Sequence, residues 1–389
     1  MADSLLWVAG DRALELSEEA VAVARRLSDR SAMLESLGGR HACLLHAEHV
    51  DERLEVSRER LTIAQSSIEH EKEAADAKPA REQRDRESAA AALHWYIFDL
   101  MERGETRAAK EHHARLAEIA AELGEPLYMS YARHWASVFA QLHGRFAEAE
   151  RLADEAFELS KGIHAEIAEM QGLDKRFAIY REQGRLQELR PAVERFAVGA
   201  PGIVAWTGLL ALLDAESGEA ARARPRVDRL VARDAAAVPR DVFWLMTLAA
   251  LAETCAILDD AAAPGATLHQ LLLPHAELCV QAGSADACWG SASRFLGLAA
   301  TACGNWDAAD RHFLTATRRN EQIGSAPLVA RARVDHAGML LRQGDRARSG
   351  DIEDLLAEAT AVAEPMGMVD VCRRAKRLRL QAAGSAVLA

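Results

Sequence analysis

"HGRFAEAERLADEAFEL", residues 143–159, is the stretch whose reading decides the fold. Gly144 follows the apolar run "PLYMSYARHWASVFAQL" and precedes a second helical stripe made of Ala147, Ala149, Leu152, Ala156 and Leu159. Glycine suits a helix C-terminus because it enters the left-handed region without a Cβ penalty. The stripe recurs at helical spacing, with small residues where two helices must approach. The phrase is therefore a helix–turn–helix joint.

Variants of the joint follow at "RGETRAAKEHHARLAEIA" (Gly104), "QGRLQELRPAVERFA" (Gly184), "SGEAARARPRVDRLVA" (Gly218), "CGNWDAADRHFLTATRR" (Gly304) and "QGDRARSGDIEDLLAEATAVA" (Gly344). Gly104, Gly144 and Gly184 stand 40 residues apart, as do Gly304 and Gly344. The span between Gly218 and Gly304 holds two periods, and "AILDDAAAPGATLHQLL" supplies the missing joint, with Asp259 and Asp260 in place of the glycine. Upstream, "AGDRALELSEEAVAVARRL" (Gly10) and "EHVDERLEVSRERLTIA" extend the series. A period of about 40 residues and a total of about nine joints are those of paired-helix solenoids. One hairpin cannot bury its apolar face alone, so neighbours stack over a continuous core. The expected fold is all-α: a right-handed superhelical solenoid of tetratricopeptide-like (TPR-like) repeats spanning 1–389 as a single domain.

Three features modulate that series. The first repeat, residues 1–30, starts in the middle of a helix, as in a piece of a longer protein or a short relative of one. "EHEKEAADAKPAREQRDRES", Glu69 to Ser88, is an almost wholly charged insertion, the pattern of a solvated helix extension or loop. "VGAPGIVAW", Val198 to Trp206, places two glycines around Pro201 and divides the chain into possible lobes, 1–200 and 201–389.

Composition narrows the function classes. Half of the 389 residues are apolar, aromatics are scarce, and no period-two β-branched run stands out. That is helical composition, since Ala, Leu, Glu and Arg lose little rotamer freedom in a helical turn. A formal net charge of −12 argues against nucleic acid as a partner, and only "RRAKRLRLQ", Arg373 to Gln381, is locally basic. No run approaches the roughly 18 uninterrupted apolar residues of a membrane span. The opening "MADSLLWVAGDRALEL" lacks a basic leader, so a cytoplasmic location without membrane contact is expected. The six cysteines form no C-x-x-C pair; Cys279 and Cys288 fall in helix-like sequence and are expected as reduced, buried thiols.

From about Ser31 onward the chain resembles the C-terminal tetratricopeptide-like region of bacterial AAA/STAND signal-transduction ATPases, which carry LuxR-type DNA-binding or adenylate cyclase domains. The resemblance rests on "GRHACLLHAEHVDERLEVSRERLTIA", "LGEPLYMSYARHWASVFAQLHGRFAEAERLADEAFEL", "REQGRLQELRPAVERFA", "VPRDVFWLMTLAALAETCAIL" and "SRFLGLAATACGNWDAADRHFLTATRRNEQIGSAPLVARARVDHAGMLLRQGD", in that order. It implies the sensor or scaffold arm of a transcriptional or cyclase-linked regulator. The ATPase of that family lies in another domain, and this sequence contains no G-x-x-x-x-G-K-[ST] loop. The charged insertion and "CVQAGSADACWG", Cys279 to Gly290, depart from the family pattern.

Candidate chemistry is sparse. In "RHACLLHAEH", His41, His46 and His49 with Glu48 could supply three imidazoles to a zinc ion with one position left open. Yet "HAEH" is not H-E-x-x-H, and surface histidines are the plainer expectation. His112 and His113 are expected to be exposed, and the carboxylates of "AEAERLADEAFE" form a solvated face. No catalytic residue and no cofactor is assigned.

A more useful set is expected on the first helices of the repeats, which line the inner groove of paired-helix solenoids. These residues are His94 beside Trp95, Tyr131, His134, Arg176, Tyr180, Trp206, Trp244, Trp289 and Arg294. Arg and His beside aromatics on a concave face are residue types that bind peptides or small ligands, although packing is the bland alternative. Trp135 belongs with Tyr128, Tyr131, Phe139 and Leu142 in one apolar stripe and is expected in the core. The expected function is a non-catalytic scaffold or sensor that receives a peptide, a partner domain or a small effector. The alternative is a hydrolase built on the solenoid, metal-assisted through His41, His46 and His49 or using groove residues such as His94 and His134.

Overall fold

The turn at Gly104 shows how the helices are joined. Its φ is +79°. The Gly104 N–H donates to the Met101 carbonyl at 3.1 Å, and the next N–H, of Glu105, reaches back to Leu100 at 2.8 Å. These two bonds are the Schellman cap, which satisfies orphan carbonyls at a helix end and needs a left-handed residue to do so. The same pair recurs at Gly144, Gly184, Gly218 and Gly304, whose φ values lie between +72° and +77°. Gly344 closes its helix with a single bond to Leu340. Asp260, in the joint that lacks glycine, adopts φ +56°.

The computed structural model describes residues 11–73, 79–163, 165–283 and 286–387. Gly10, and the part of the first repeat before Asp11, lie outside them. The helices are α1 (Asp11–Leu27), α2 (Arg30–Cys43), α3 (Val50–Glu73), α4 (Pro79–Arg103), α5 (Thr106–Leu123), α6 (Pro126–Leu142), α7 (Phe146–Ser160), α8 (Ala165–Gln183) and α9 (Arg190–Gly199). They continue as α10 (Ala205–Glu216), α11 (Ala220–Ala235), α12 (Trp244–Ile257), α13 (Ala262–Leu272), α14 (Ala292–Ala302), α15 (Trp306–Ile323), α16 (Ala326–Gln343), α17 (Ser349–Met366) and α18 (Val369–Val387). The joints identified in the sequence fall between α2 and α3, α4 and α5, and so on to α16 and α17. The charged insertion contributes the end of α3 and the start of α4; positions 74–78 lie outside the described residues.

The chain divides into two compact units. The first comprises the chain to Ala136 with Leu152–Glu169 and Arg240–Val242. In it α1 to α5 pack each on the next. The second comprises Ser137–Arg151, Met170–Pro239 and the chain from Phe243 onward. There α10, α12, α14, α16 and α18 stack in that order, and α11, α13, α15 and α17 lie against them. Helix character follows position. In α10 every residue from Ala205 to Ala215 except Thr207 is buried, and α12 is buried from Trp244 to Cys255. Such helices are apolar nearly all round because neighbours cover both sides. Helix α15 instead buries a single stripe, Ala308, Ala309, Phe313, Ala316, Asn320 and Ile323. Where α14 meets α15, Gly297 lets the Phe313 ring approach so closely that a Cβ would lie 2.9 Å from it.

One segment departs from the helical expectation. Between α13 and α14 the chain forms an antiparallel hairpin, β1 (Cys279–Ala282) with β2 (Ala287–Ser291), pairing Cys279 with Ser291 and Gln281 with Cys288. It is the "CVQAGSADACWG" segment that departs from the family pattern. Cys279 and Cys288 are thus strand residues, buried and not joined in a disulfide. Trp289, expected on a helix, lies on β2. The cause is tertiary. The Asn320 side chain on α15 accepts the Ser291 N–H at 3.0 Å and donates to the Leu328 carbonyl at 3.2 Å. Gly290, at φ +87°, sits against Leu328, where a side chain would collide.

Candidate functional site

In the first unit, residues of α4 and α6 meet around His94. Tyr131 stacks on the His94 ring at 4.0 Å, with planes 15° apart. The Trp135 indole N–H donates to His94 Nδ1 at 3.2 Å, and Trp95 stands edge-on at 5.1 Å. Helical spacing produces this set. Tyr131 and Trp135 are four residues apart on α6, so both face the same part of α4. His94 and Trp135 are buried, whereas Trp95, Tyr128 and Tyr131 keep partial access. His134, one turn along from Tyr131, is buried. Trp135 is core, as its stripe predicts.

Beneath these rings lies a buried charge cluster. His41 Nε2 is 3.0 Å from Asp99, and Arg53 Nε donates to the same carboxylate at 2.6 Å. Arg53 also pairs with Glu102. Burial works to raise the Asp99 pKa, but His41 and Arg53 outweigh it and hold the carboxyl below its ordinary range. Burial also lowers the His41 pKa, against the pull of Asp99. The ring and the Arg53 guanidinium together position Asp99.

Arg60, which the sequence reading passed over, reaches the same region from α3. Its guanidinium lies over Gly38 of α2; a Cβ there would come within 3.1 Å of Cζ and Nη2. Its Nε is buried with no hydrogen-bond partner. Burial holds its pKa below the ordinary value, and the groups acting against that are two phenols, Tyr131 and Tyr128. Tyr128 is itself pushed up to about 12, by burial first and Glu87 next. No pattern of spacing marks Arg60. Only the lack of an acidic partner among the described residues distinguishes it.

The three imidazoles proposed for zinc do not converge. His41 is turned to Asp99. His46 caps the short turn after α2, its Nδ1 accepting the Glu48 N–H at 3.3 Å, and its ring lies 6.4 Å from that of His49. His41 and His46 are buried, contrary to the expectation of surface histidines. Among the described residues no group of three or more His, Cys, Asp or Glu is arranged to hold a metal ion. His112 and His113 are partly buried and not exposed as expected; the His113 ring bonds the Ala132 carbonyl at 2.9 Å.

In the second unit the remaining candidates are mostly packed inside. Trp206 stacks on Phe196 at 5.0 Å, Trp244 meets His275 edge-on at 5.2 Å, and Trp289 stacks on Phe177 at 5.7 Å beneath the Arg181 guanidinium. All three tryptophans are buried. The Tyr180 hydroxyl donates to Glu150 at 2.7 Å, and Arg176, one turn before it on α8, is partly exposed. Arg294 belongs to a buried ionic network. It bonds Glu253 at 2.8 Å and Asp335 at 2.6 Å; Arg181 reaches Glu253 at 3.1 Å; Arg331 clamps Glu182 at 2.8 and 2.9 Å and touches Asp370 at 3.1 Å. Arg374, from the basic stretch on α18, completes the Asp335 pair. Burial would raise the Glu253 pKa, but Arg294 and Arg181 hold it far below the ordinary range. Nearby, Lys175 pairs with Asp286 at 3.0 Å, while both oxygens of buried Asp174 have no hydrogen-bond partner among the described residues. Burial, and then Asp286, raise the Asp174 pKa well above its usual value.

No protein-family model matches the chain, and no curated protein matches it. No helix among the described residues is long and apolar enough to cross a membrane.

Proposed function

We propose that this chain is a non-catalytic binding module, an α-solenoid of TPR-like pairs wound as a right-handed superhelix, whose groove receives a peptide, a partner domain or a small effector. By its resemblance it would serve as the scaffold or sensor arm of a bacterial signal-transduction ATPase or transcriptional regulator. The observation that carries the reading is the gathering of Trp95, Tyr128 and Tyr131, all partly accessible, on the first helices of successive pairs and anchored by His94. Amphipathic rings held rigidly by buried neighbours bind with little loss of conformational entropy. The left-handed joints and the stacking of alternate helices support the repeat architecture. Convergent metal ligands would favour the hydrolase alternative, and the imidazoles at 41, 46 and 49 do not meet.

Two measurements test this. Small-angle scattering should return a radius of gyration clearly above the roughly 21 Å of a compact chain of this length. A value at that figure would remove the superhelix. A thermal-shift screen of peptides and metabolites should find ligands that stabilise the wild type, and Tyr131→Ala should lose that stabilisation. Stabilisation unchanged in the variant would move the site elsewhere.

A further inference from the structure

We infer that Arg60 is the anchor of a binding site for a small oxyanion, a carboxylate or phosphate carried on a flat apolar body. The inference rests on the binding-module reading and assigns the ligand class of the same site. The fully buried arginines of this fold all have acidic partners. Arg53 has Asp99 and Glu102, and Arg294 has Glu253 and Asp335. The Arg60 guanidinium, among the described residues, forms no ion pair and no hydrogen bond, and its Nε is sealed from water without a partner. Arg60 as a whole is half-buried, and drawing an uncompensated cation even partly out of water is costly, so such a group is expected where a ligand completes the pair. A guanidinium matches the two oxygens of a carboxylate or phosphate with parallel N–H donors.

The surroundings favour a small guest. Gly38 leaves the backbone of α2 bare under the guanidinium, so its plane is fixed by contact. The partly accessible rings of Tyr128, Tyr131 and Trp95 offer a surface for a flat group attached to the anion. Neither phenol is ionised at neutral pH, since burial raises both. The carboxylates that act on Tyr128 are Glu87 and Glu125, and neither is among the groups that shift Arg60.

The test uses the full chain at constant ionic strength, titrated with sodium benzoate, sodium acetate and inorganic phosphate, read by calorimetry and thermal melting. Benzoate or phosphate should bind saturably, with acetate at least tenfold weaker than benzoate if the rings contribute. Arg60→Met should abolish binding while its ligand-free melting temperature equals or exceeds that of the wild type, because the unpaired cation is gone. Gly38→Ala keeps the charge and improves helix propensity; its methyl should push the guanidinium aside and weaken binding severalfold. No saturable binding by the wild type, or unchanged binding in Arg60→Met or Gly38→Ala, overturns the assignment. So does a lower ligand-free melting temperature in Arg60→Met, which would make the residue structural. Failure here leaves the binding-module reading standing if the Tyr131→Ala screen still identifies another ligand, and failure of both removes it.

Discussion

Tyr131 lies parallel to His94, with ring centroids 4.0 Å apart, and the indole N–H of Trp135 donates to the Nδ1 of the same imidazole. An accepting Nδ1 places the imidazole proton of neutral His94 on Nε2. The stack is thus held by shape and by one fixed tautomer.

That arrangement separates two substitutions at Tyr131. Tyr131→Phe keeps the ring and should change stability by no more than ~0.5 kcal/mol. Tyr131→Ala should cost about 2 kcal/mol, the ring being only partly buried. Urea unfolding followed by tryptophan fluorescence measures both. Equal losses would mean that the hydroxyl, not the stacked ring, is the structural element.

The joint at Asp260 predicts a gain. An aspartate at φ +56° carries a left-handed penalty that glycine avoids. Asp260→Gly should therefore raise stability by about 0.5–1 kcal/mol. In contrast, Gly218→Ala, where a methyl meets nothing within 4 Å, should cost about 1 kcal/mol from backbone strain alone. Thermal unfolding of the two variants decides it; a loss in Asp260→Gly would show that its side chain holds the turn.

Glu216 sets a pH dependence. Burial, and then Asp370 and Glu253, push its pKa up to about 7 from an ordinary 4.5. The folded chain then keeps this proton over a range where the unfolded chain has released it. Stability therefore falls as pH rises from about 4.5 to about 7, and the whole penalty is present above that. Allowing for its partial exposure, Glu216→Gln should add ~1–2 kcal/mol at about pH 8 and almost nothing at about pH 4. Urea titrations at both ends check the sign. A gain of equal size at each end would mean that its charge is not the cause.

Arg331 tests the ionic network. Arg331→Met should cost about 3–5 kcal/mol because buried Glu182 would lose its two-bonded cation and Asp370 would be left to Arg373 alone among its bonded partners. The triple change Arg331→Met, Glu182→Gln, Asp370→Asn should recover much of that loss, since no carboxylate is then stranded. Chemical denaturation of both proteins measures the difference; a single variant within ~1 kcal/mol of wild type would show the network to be dispensable.

Much of the helical framework is legible from residues alone because a helix end is a local event. A left-handed residue after an apolar run closes its own turn through hydrogen bonds to carbonyls three and five residues back, as at Gly104. Even the joint without glycine could be placed, at Asp260. The stacked pair of the site was partly legible too, because His94 and Tyr131 are unusual residue types on apolar helix faces.

Tertiary structure alone decided the rest. The hairpin at Cys279–Ser291 has no β-branched signature; it exists because Asn320 and Leu328, on helices that come later in the chain, receive it. Which charges are neutralised was equally hidden, since Arg331 finds Glu182 across 149 positions. Arg60 differs from Arg53 and Arg331 in the acidic partner it lacks among the described residues. Short-range hydrogen bonding writes itself into sequence spacing, whereas burial and ion pairing depend on which distant side chains arrive at the same place.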